Sequence, residues 1–341
     1  MFNRGHVENV GFSDTGWVLS NSGSYMKILI TGSEGSLCQR LIKFIGKNHE
    51  IIGVDRKAPN RKRDYTYVQG DLVDPGLTDK ITKGVDIVIQ AAATIYGVGG
   101  FHKYPADILG DDVVLHRNIL NSSLKNGVSK VCFISSSMVY ERGVQHPCCE
   151  SSLDNALTPL TDYGLSKLVN ERLSKAYFLQ HGLDYLIWRP FNMITPLEVA
   201  DKEQGISHVF ADFLRFIVEE ARTEIPIIGD GYQIRCFTWV DEAARCIAEN
   251  TILPGVKNTS YNVGNVEPVT MRHLAQMFYE EAQAMNYIPK SDTPLSFVTV
   301  KDFSDDVQVR IPSGAKTKSE LGWEALVDTR ESVRRCLLGN F

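Results

Sequence analysis

The stretch Lys27–Leu41, KILITGSEGSLCQRL, limits the fold of this chain more than any other. A short β-favouring run enters a glycine turn at Gly32, and a helical pattern follows Gly35. That order of strand, tight turn and helix opens a dinucleotide-binding βαβ unit. The spacing is G-x-x-G-x-x-C instead of G-x-G-x-x-G. The first glycine permits the turn, and the second lets a pyrophosphate reach the N–H groups of the helix start. The third serves only helix-on-strand packing. Cys38 stands at that third place. Its thiol is small, so it is expected to part helix and strand slightly and to leave the phosphate-contacting residues, Gly32, Gly35, Ser36 and Leu37, intact. Asp55 closes the next apolar run, IIGVD, 20 residues beyond Gly35. A carboxylate there accepts from the adenosine ribose hydroxyls and repels a 2′-phosphate, which favours NAD over NADP. Neighbouring Arg56 partly offsets that repulsion.

Further along, apolar runs near 27–31, 50–54, 65–68, 86–92, 130–135, 184–189 and 259–263 alternate with helical patterns near 35–46, 107–126, 162–181, 208–221, 241–253 and 270–285. The runs VDIVIQAAA and KVCFISSS lack polar alternation, as strands buried on both faces do. The expected fold is α/β, a Rossmann-type doubly wound parallel sheet with a smaller C-terminal substrate-binding lobe. Residues 26–190 plus 236–265 are assigned to the NAD-binding part and 191–235 plus 266–341 to the second lobe. Residues 1–25, polar and without periodicity, are read as a flexible extension. A net charge of -5 without a basic run argues against nucleic acid, and no apolar run is long enough to span a membrane, so the expected location is the cytoplasm. The seven cysteines have no C-x-x-C spacing, so neither a disulfide framework nor a metal site is expected.

The segment DYGLSKLVNERL sets Tyr163 and Lys167 four apart on one helical face. An ammonium about 5 Å from a phenol, at an effective dielectric near 20, favours the phenolate by roughly 3 kcal/mol and so suits the tyrosine as a general base. Spacing alone does not distinguish this from a Tyr–Lys pair without a task.

Taken together, TGSEGSLC (31–38), Asp55, GDL (70–72), AAA (91–93), SSSMVY (135–140), YGLSK (163–167), RPFN (189–192), GDGYQIRCFTWVDE (229–242), YNVGN (261–265) and LGW (321–323) stand in one order. In that order the chain resembles the extended short-chain dehydrogenase/reductases of the nucleotide-sugar epimerase/dehydratase family, from about Lys27 nearly to the C-terminus. The resemblance implies NAD as cofactor, contacted by Asp71, Leu72, Ala91, Ala92, Ala93 and Pro190 besides the residues above, by Tyr163, and by Lys167 on the nicotinamide ribose. It implies Tyr163, Lys167 and Ser136 as catalytic residues, with Ser135 and Ser137 as competitors of Ser136. It also implies a nucleoside-diphosphate sugar, GDP- or UDP-linked, held by Ser137, Asn192, His208, Arg235 and Arg310, and a homodimer through the helices near 107–126 and 162–181.

Three departures narrow the reaction. Ser137 and Met138 stand where the family's dehydratases carry an acidic pair, and a thioether moves no proton. The stretches AAATIYGVGGFHKYPADI and SHVFADFLRF resemble the GDP-mannose 3,5-epimerase and GDP-fucose synthase branch, yet the cysteine of that branch is Met138 here, leaving Cys148 or Cys149 to substitute for it. Gln90 and Asp112 replace residues that commonly serve the cofactor, which points to altered NAD affinity. The expected activity is epimerisation through a transient 4-keto sugar. The alternatives are net dehydrogenation, dehydration or 3,5-epimerisation using His208, or a non-catalytic relative that binds NAD or the sugar nucleotide.

Overall fold

The computed structural model describes residues 25–59, 62–94, 96–196, 198–301 and 307–339. Nearly all of the expected N-terminal extension lies outside the described residues. Seven parallel strands form the central sheet: β1 (Lys27–Thr31), β2 (Glu50–Asp55), β3 (Thr66–Gln69), β4 (Ile87–Gln90), β5 (Lys130–Ile134), β6 (Asp184–Pro190) and, after four short strands, β11 (Thr259–Val263). Their spatial order is β11-β6-β5-β4-β1-β2-β3. The order reverses at β1, which pairs with β2 on one side and β4 on the other. In an open parallel sheet this reversal leaves a crevice beyond the carboxyl ends of the strands.

Both faces of the sheet are covered, and the period-2 alternation of a strand assigns each side chain to one of them. Ile28 and Ile30 pack with Leu37, Leu41 and Ile45 of α1 (Ser36–Ile45) and with Ala243, Ala244 and Ile247 of α7 (Val240–Thr251). Leu29 points the other way, into a cluster with Ile81 of α2 (Pro75–Ile81), Ile119 of α4 (Pro105–Lys125) and Leu173 of α5 (Asp162–His181). All three β1 residues are fully buried; each contributes roughly 1.5–3 kcal/mol. This double burial is why the strand sequences read as unbroken apolar runs.

Helix boundaries follow local chemistry. The Thr161 hydroxyl caps α5 by accepting from Gly164 N at 3.0 Å, and left-handed Gly182 ends it. Asp74 caps α2, with Pro75 in its first turn. Among the described residues, four α-helices of ten residues or fewer lie outside the expected helical patterns, α2, α3 (Val98–Lys103), α9 (Ala315–Leu321) and α10 (Thr329–Leu338), because so few turns hold few positions to show a repeat. The helix expected over 208–221 is α6 (Val209–Phe213), which continues as a wider π-helical turn through Leu214–Glu219.

The short strands are β7 (Met193–Ile194), β8 (Glu224–Ile228), β9 (Ile234–Cys236), β10 (Thr238–Trp239), β12 (Pro268–Thr270), β13 (Ser296–Lys301) and β14 (Val309–Arg310). They form β13-β8, β12-β9-β14 and β10-β7 groups. Together with α8 (Met271–Ala284), α9 (Ala315–Leu321) and α10 (Thr329–Leu338) they complete the elements after β6. A second hydrophobic cluster, built on Phe210, Phe213, Ile225, Phe237, Leu274, Phe278 and Val333, draws its members from 194–239 and 269–337. Among the described residues no helix is long and apolar enough to cross a membrane.

Candidate active site

At the end of β1 the chain turns at Gly32 with φ +69°, and a Cβ there would sit 3.0 Å from the Ala92 Cα. Only glycine fits that left-handed, crowded position. Gly35 N donates to Gly32 O at 2.9 Å, and Gly35 then caps α1, whose first N–H groups have no partner within the helix. A crevice of about 280 Å³ opens above this turn. It gathers Gly32, Gly35, Asp55, Arg56, Asp71, Leu72, Ala91, Ala92 and Ala93, all expected at the cofactor, and adds Glu34, Thr94 and Asp111. Asp55 accepts from Glu34 N and Lys57 N, both at 3.0 Å, which orients its carboxylate at the crevice wall. Arg56 faces Asp71 at 3.8 Å. Glu34 forms an ion pair with Arg63, both side chains over nine-tenths buried. Leu37 buries its side chain in the α1 core, so only its backbone can face a phosphate, and Pro190 is buried at the end of β6 beside β11.

Cys38 is buried against the sheet with its Sγ 3.5 Å from Thr31 O. Burial, aided by the Asp55 charge, pushes its thiol up to about 12, so it stays protonated and acts as packing. Gln90 lies fully buried behind the crevice. The Thr31 hydroxyl donates to its Oε1 and accepts from Ala91 N and Ala92 N at 3.0 Å, while its Nε2 donates to Ala92 O at 3.0 Å. The pair Thr31–Gln90 thus sets the Ala91–Ala93 turn, so Gln90 reaches the crevice through that backbone.

Tyr163 and Lys167 stand on the first turns of α5, both buried, with Lys167 Nζ 5.3 Å from the Tyr163 ring centre and 5.4 Å from that of Phe133. Phe101 of α3 stacks on Tyr163, centroids 4.6 Å apart and planes 5° from parallel. The turn after β5 packs on the start of this helix so closely that a Cβ on Gly164 would lie 2.7 Å from Met138 O. Of the three serines in that turn, Ser135 donates to Glu171 at 2.7 Å and belongs to the core. Ser137 is buried, whereas Ser136 is partly open, its Oγ accepting from Met138 N at 3.2 Å. Glu141 holds the helix start by accepting from Leu160 N and Thr161 N at 2.6 and 2.8 Å; burial pushes its carboxyl above the ordinary range. One turn beyond Lys167, Glu171 grips the buried Arg189 with two hydrogen bonds of 2.9 and 2.7 Å, and Tyr140 and Asn262 extend the network.

Asp112 stands just behind the crevice lining, where its Oδ1 accepts from Thr94 N at 2.9 Å. It is 1% exposed, and its Oδ2 sits 3.4 Å from Lys167 Nζ. His116, one turn further, is buried with Nε2 3.0 Å from Ser174 Oγ, and burial followed by the Lys167 charge pushes it down to about 3.

Beyond the sheet, β9 and β14 pair in parallel with Arg235 directly beside Arg310, so both guanidinium groups, nearly buried, share a face. Arg310 donates to Asn192 Oδ1 at 2.8 Å and lies against Met138 Sδ. Asn192 also donates to Cys236 O at 2.8 Å, so both ends of its amide are engaged in placing Arg310. His208 reaches Glu198, Nδ1 to both oxygens at 2.9 Å. Burial opposes its protonation, but 49% of the side chain is open and the Glu198 carboxylate outweighs burial, raising the imidazole above its ordinary value. Glu198 is a residue that sequence reasoning misses, since it stands ten positions before His208 along irregular chain. So is Phe101, which only the tertiary packing of α3 brings to Tyr163. Cys148 is no substitute acid or base: it is buried against Ile311 O, and burial pushes it up to about 12. Cys149 is exposed, with its thiol lowered by hydrogen bonds from Ser151 and Ser152. Among the described residues no group of three His, Cys, Asp or Glu side chains is placed to hold a metal.

A doubly wound parallel sheet with a glycine crevice at its switch point defines a Rossmann-type dinucleotide-binding protein. Residues 28–264 match the model of the NAD dependent epimerase/dehydratase family, and the chain belongs to that family. Its cofactor is NAD, and the glycine turn, the open helix start and Asp55 fit that molecule. A putative UDP-glucose 4-epimerase of Methanocaldococcus jannaschii is 28% identical over 90% of this chain and 96% of its own. The GDP-mannose 3,5-epimerase of Arabidopsis thaliana is 26% identical over 91% and 80%. In fold, the chain superposes on UDP-glucose 4-epimerase of Thermotoga maritima, solved with UDP-glucose, with TM-score 0.78 at 24% identity over 92% of this chain and 98% of the other. It likewise superposes on the dTDP-glucose 4,6-dehydratase DesIV of Streptomyces venezuelae, solved with NAD, with TM-score 0.79 at 21% identity over 92% and 96%.

Proposed function

We propose that the protein is an NAD-dependent epimerase of nucleoside-diphosphate sugars that works through a transient 4-keto sugar. The observation that carries this is the nearness of Tyr163 and Lys167 on α5, their link through Asp112 to the crevice loop at Thr94, and the paired Arg235 and Arg310 next to Met138. The two arginines take the diphosphate, whose oxygens match guanidinium forks. Ser136 hydrogen-bonds the sugar hydroxyl at carbon 4, and Tyr163 withdraws its proton, with the Lys167 ammonium favouring the phenolate. Bound NAD supplies hydride acceptance and return. The same side chains run the return step after the ketone has presented its other face, Tyr163 giving the proton back. No acid or base beyond these is needed, which agrees with Met138 in the turn. The relatives carry both UDP and GDP sugars in their names, and either nucleotide is compatible with the two arginines. A homodimer through α4 and α5 fits the exposed Val114, Leu124 and Leu179 on those helices.

One observation favours a second reading. The His208–Glu198 pair is a ready proton-transfer group, and it would serve epimerisation at carbons beside the ketone.

The test is a panel of UDP- and GDP-sugars incubated with the protein and NAD, followed by separation of the recovered sugars. A 4-epimer appearing without net absorbance at 340 nm supports the main reading; epimers at carbon 3 or 5 support the second. Tyr163→Phe is expected to lose at least a thousandfold in turnover while retaining NAD, and turnover within tenfold of the parent rejects the assigned base.

A further inference from the structure

We propose that Asp112 is a positioning residue of this site, holding the Lys167 ammonium and, by neutralising part of its field, setting the pH at which Tyr163 gives up its proton. The proposal rests on the reading of Tyr163 as base. The Asp112 carboxylate is committed on both oxygens. Oδ2 lies 3.4 Å from Lys167 Nζ and 3.5 Å from Ser166 Oγ, and Oδ1 accepts from Thr94 N at 2.9 Å. The backbone is tied in as well, with Asn170 Nδ2 donating to Asp112 O at 3.1 Å. Side-chain exposures of 3% for Lys167 and 1% for Asp112 leave little water to screen the pair. Thr94 directly follows the Ala91–Ala93 turn and itself lines the crevice, so one carboxylate fastens the cofactor loop to the amine beside the base.

The surroundings leave Asp112 as the group that governs this field. On α4, His116 is neutral and bonded to Ser174, and Asp111 faces the crevice. On α5, Glu171 is spent on Arg189. At the helix start Glu141 is taken up by Leu160, Thr161 and the Thr161 hydroxyl. From β5 and α3 the rings of Phe133 and Phe101 pack against the pair. Among the described residues, Asp112 is the carboxylate within ion-pair distance of Lys167. An asparagine at this place would accept from Thr94 N and fill the same volume, but it would leave the ammonium uncompensated. The charge, and not the shape, is therefore what aspartate adds. Its consequence is a buried counter-charge beside the amine that faces Tyr163.

The experiment is a titration of tyrosinate absorbance at 295 nm, without substrate or cofactor, taken as the difference between each protein and its Tyr163→Phe counterpart. Asp112→Asn is expected to lower the midpoint of that difference by about one pH unit, a tenfold change in the phenolate-to-phenol ratio. Asp112→Glu, which keeps the charge, should stay near the parent. A midpoint in Asp112→Asn within a few tenths of a unit of the parent overturns the proposal, leaving a structural role only. If Asp112→Asn does not fold, Asp112→Ser, which keeps an acceptor for Thr94, is read in its place with the same expected lowering. A protein that turns over no nucleotide sugar still gives this titration, so failure of the activity and failure of the Asp112 role are seen separately.

Discussion

Replacing Glu171 by glutamine tests how α5 is held to the sheet. Both Glu171 and Arg189 are 1% exposed and joined by bonds of 2.9 and 2.7 Å, and Ser135 adds one of 2.7 Å. The amide is the same size, so no cavity opens. What is lost is one charge, which leaves the Arg189 guanidinium buried without its counterion and one amide N–H facing a donor. Two hydrogen bonds to charged groups are worth about 1.5–3 kcal/mol each, and breaking a buried pair costs about 3–5 kcal/mol, so about 4 kcal/mol is expected. At an m-value of about 3 kcal/mol/M in urea this lowers the unfolding midpoint by about 1.3 M. Urea unfolding followed by tryptophan fluorescence reads it, with Trp188 adjoining Arg189 in β6. The double change Glu171→Leu with Arg189→Met should cost well under the sum of the single ones, because an apolar pair leaves no charge behind. A loss below 1 kcal/mol in Glu171→Gln, or strict additivity in the double variant, would refute the argument that desolvated charge governs this position.

The His208–Glu198 pair predicts a two-sided pH dependence. The raised imidazole contributes stability that is present below its unfolded value and lost as pH rises through the folded one. The lowered Glu198 carboxyl contributes stability present above its unfolded value and lost as pH falls through the folded one. Melting temperature scanned against pH should therefore show the parent exceeding His208→Gln most between the two titrations, and a constant gap across pH speaks against the pairing. Gly32→Ala should weaken NAD binding at least tenfold by calorimetric titration, because its Cβ would press on the Ala92 backbone from a left-handed φ of +69°. Unchanged affinity would mean that the turn relaxes.

The strands and the glycine turn were readable from local sequence because their causes are local. Strands buried on both faces need unbroken apolar runs, and a left-handed turn against a neighbouring backbone needs glycine, so β1, β2, β4, β5 and the crevice floor appear at nearly the expected residues. Tyr163 and Lys167 were equally visible, being one helical turn apart. Cys38 could be seen to be harmless from its size, although its burial and its contact with Thr31 could not.

What tertiary structure alone decided lies between residues distant in the chain. Asp112 looked like a worn cofactor contact until the packing of α4 on α5 set it against Lys167, 55 positions on. Gln90 is the buried brace of the turn in front of it, through a bond to Thr31, 59 positions away. The register of β9 with β14 brought Arg235 beside Arg310, and the sequence says nothing of that pairing because each strand is too short to carry a pattern. The chain's own order thus determined which backbone could hold a dinucleotide. The close approach of strands and helices, by excluding water from a few charges, decided which side chains those charges must face.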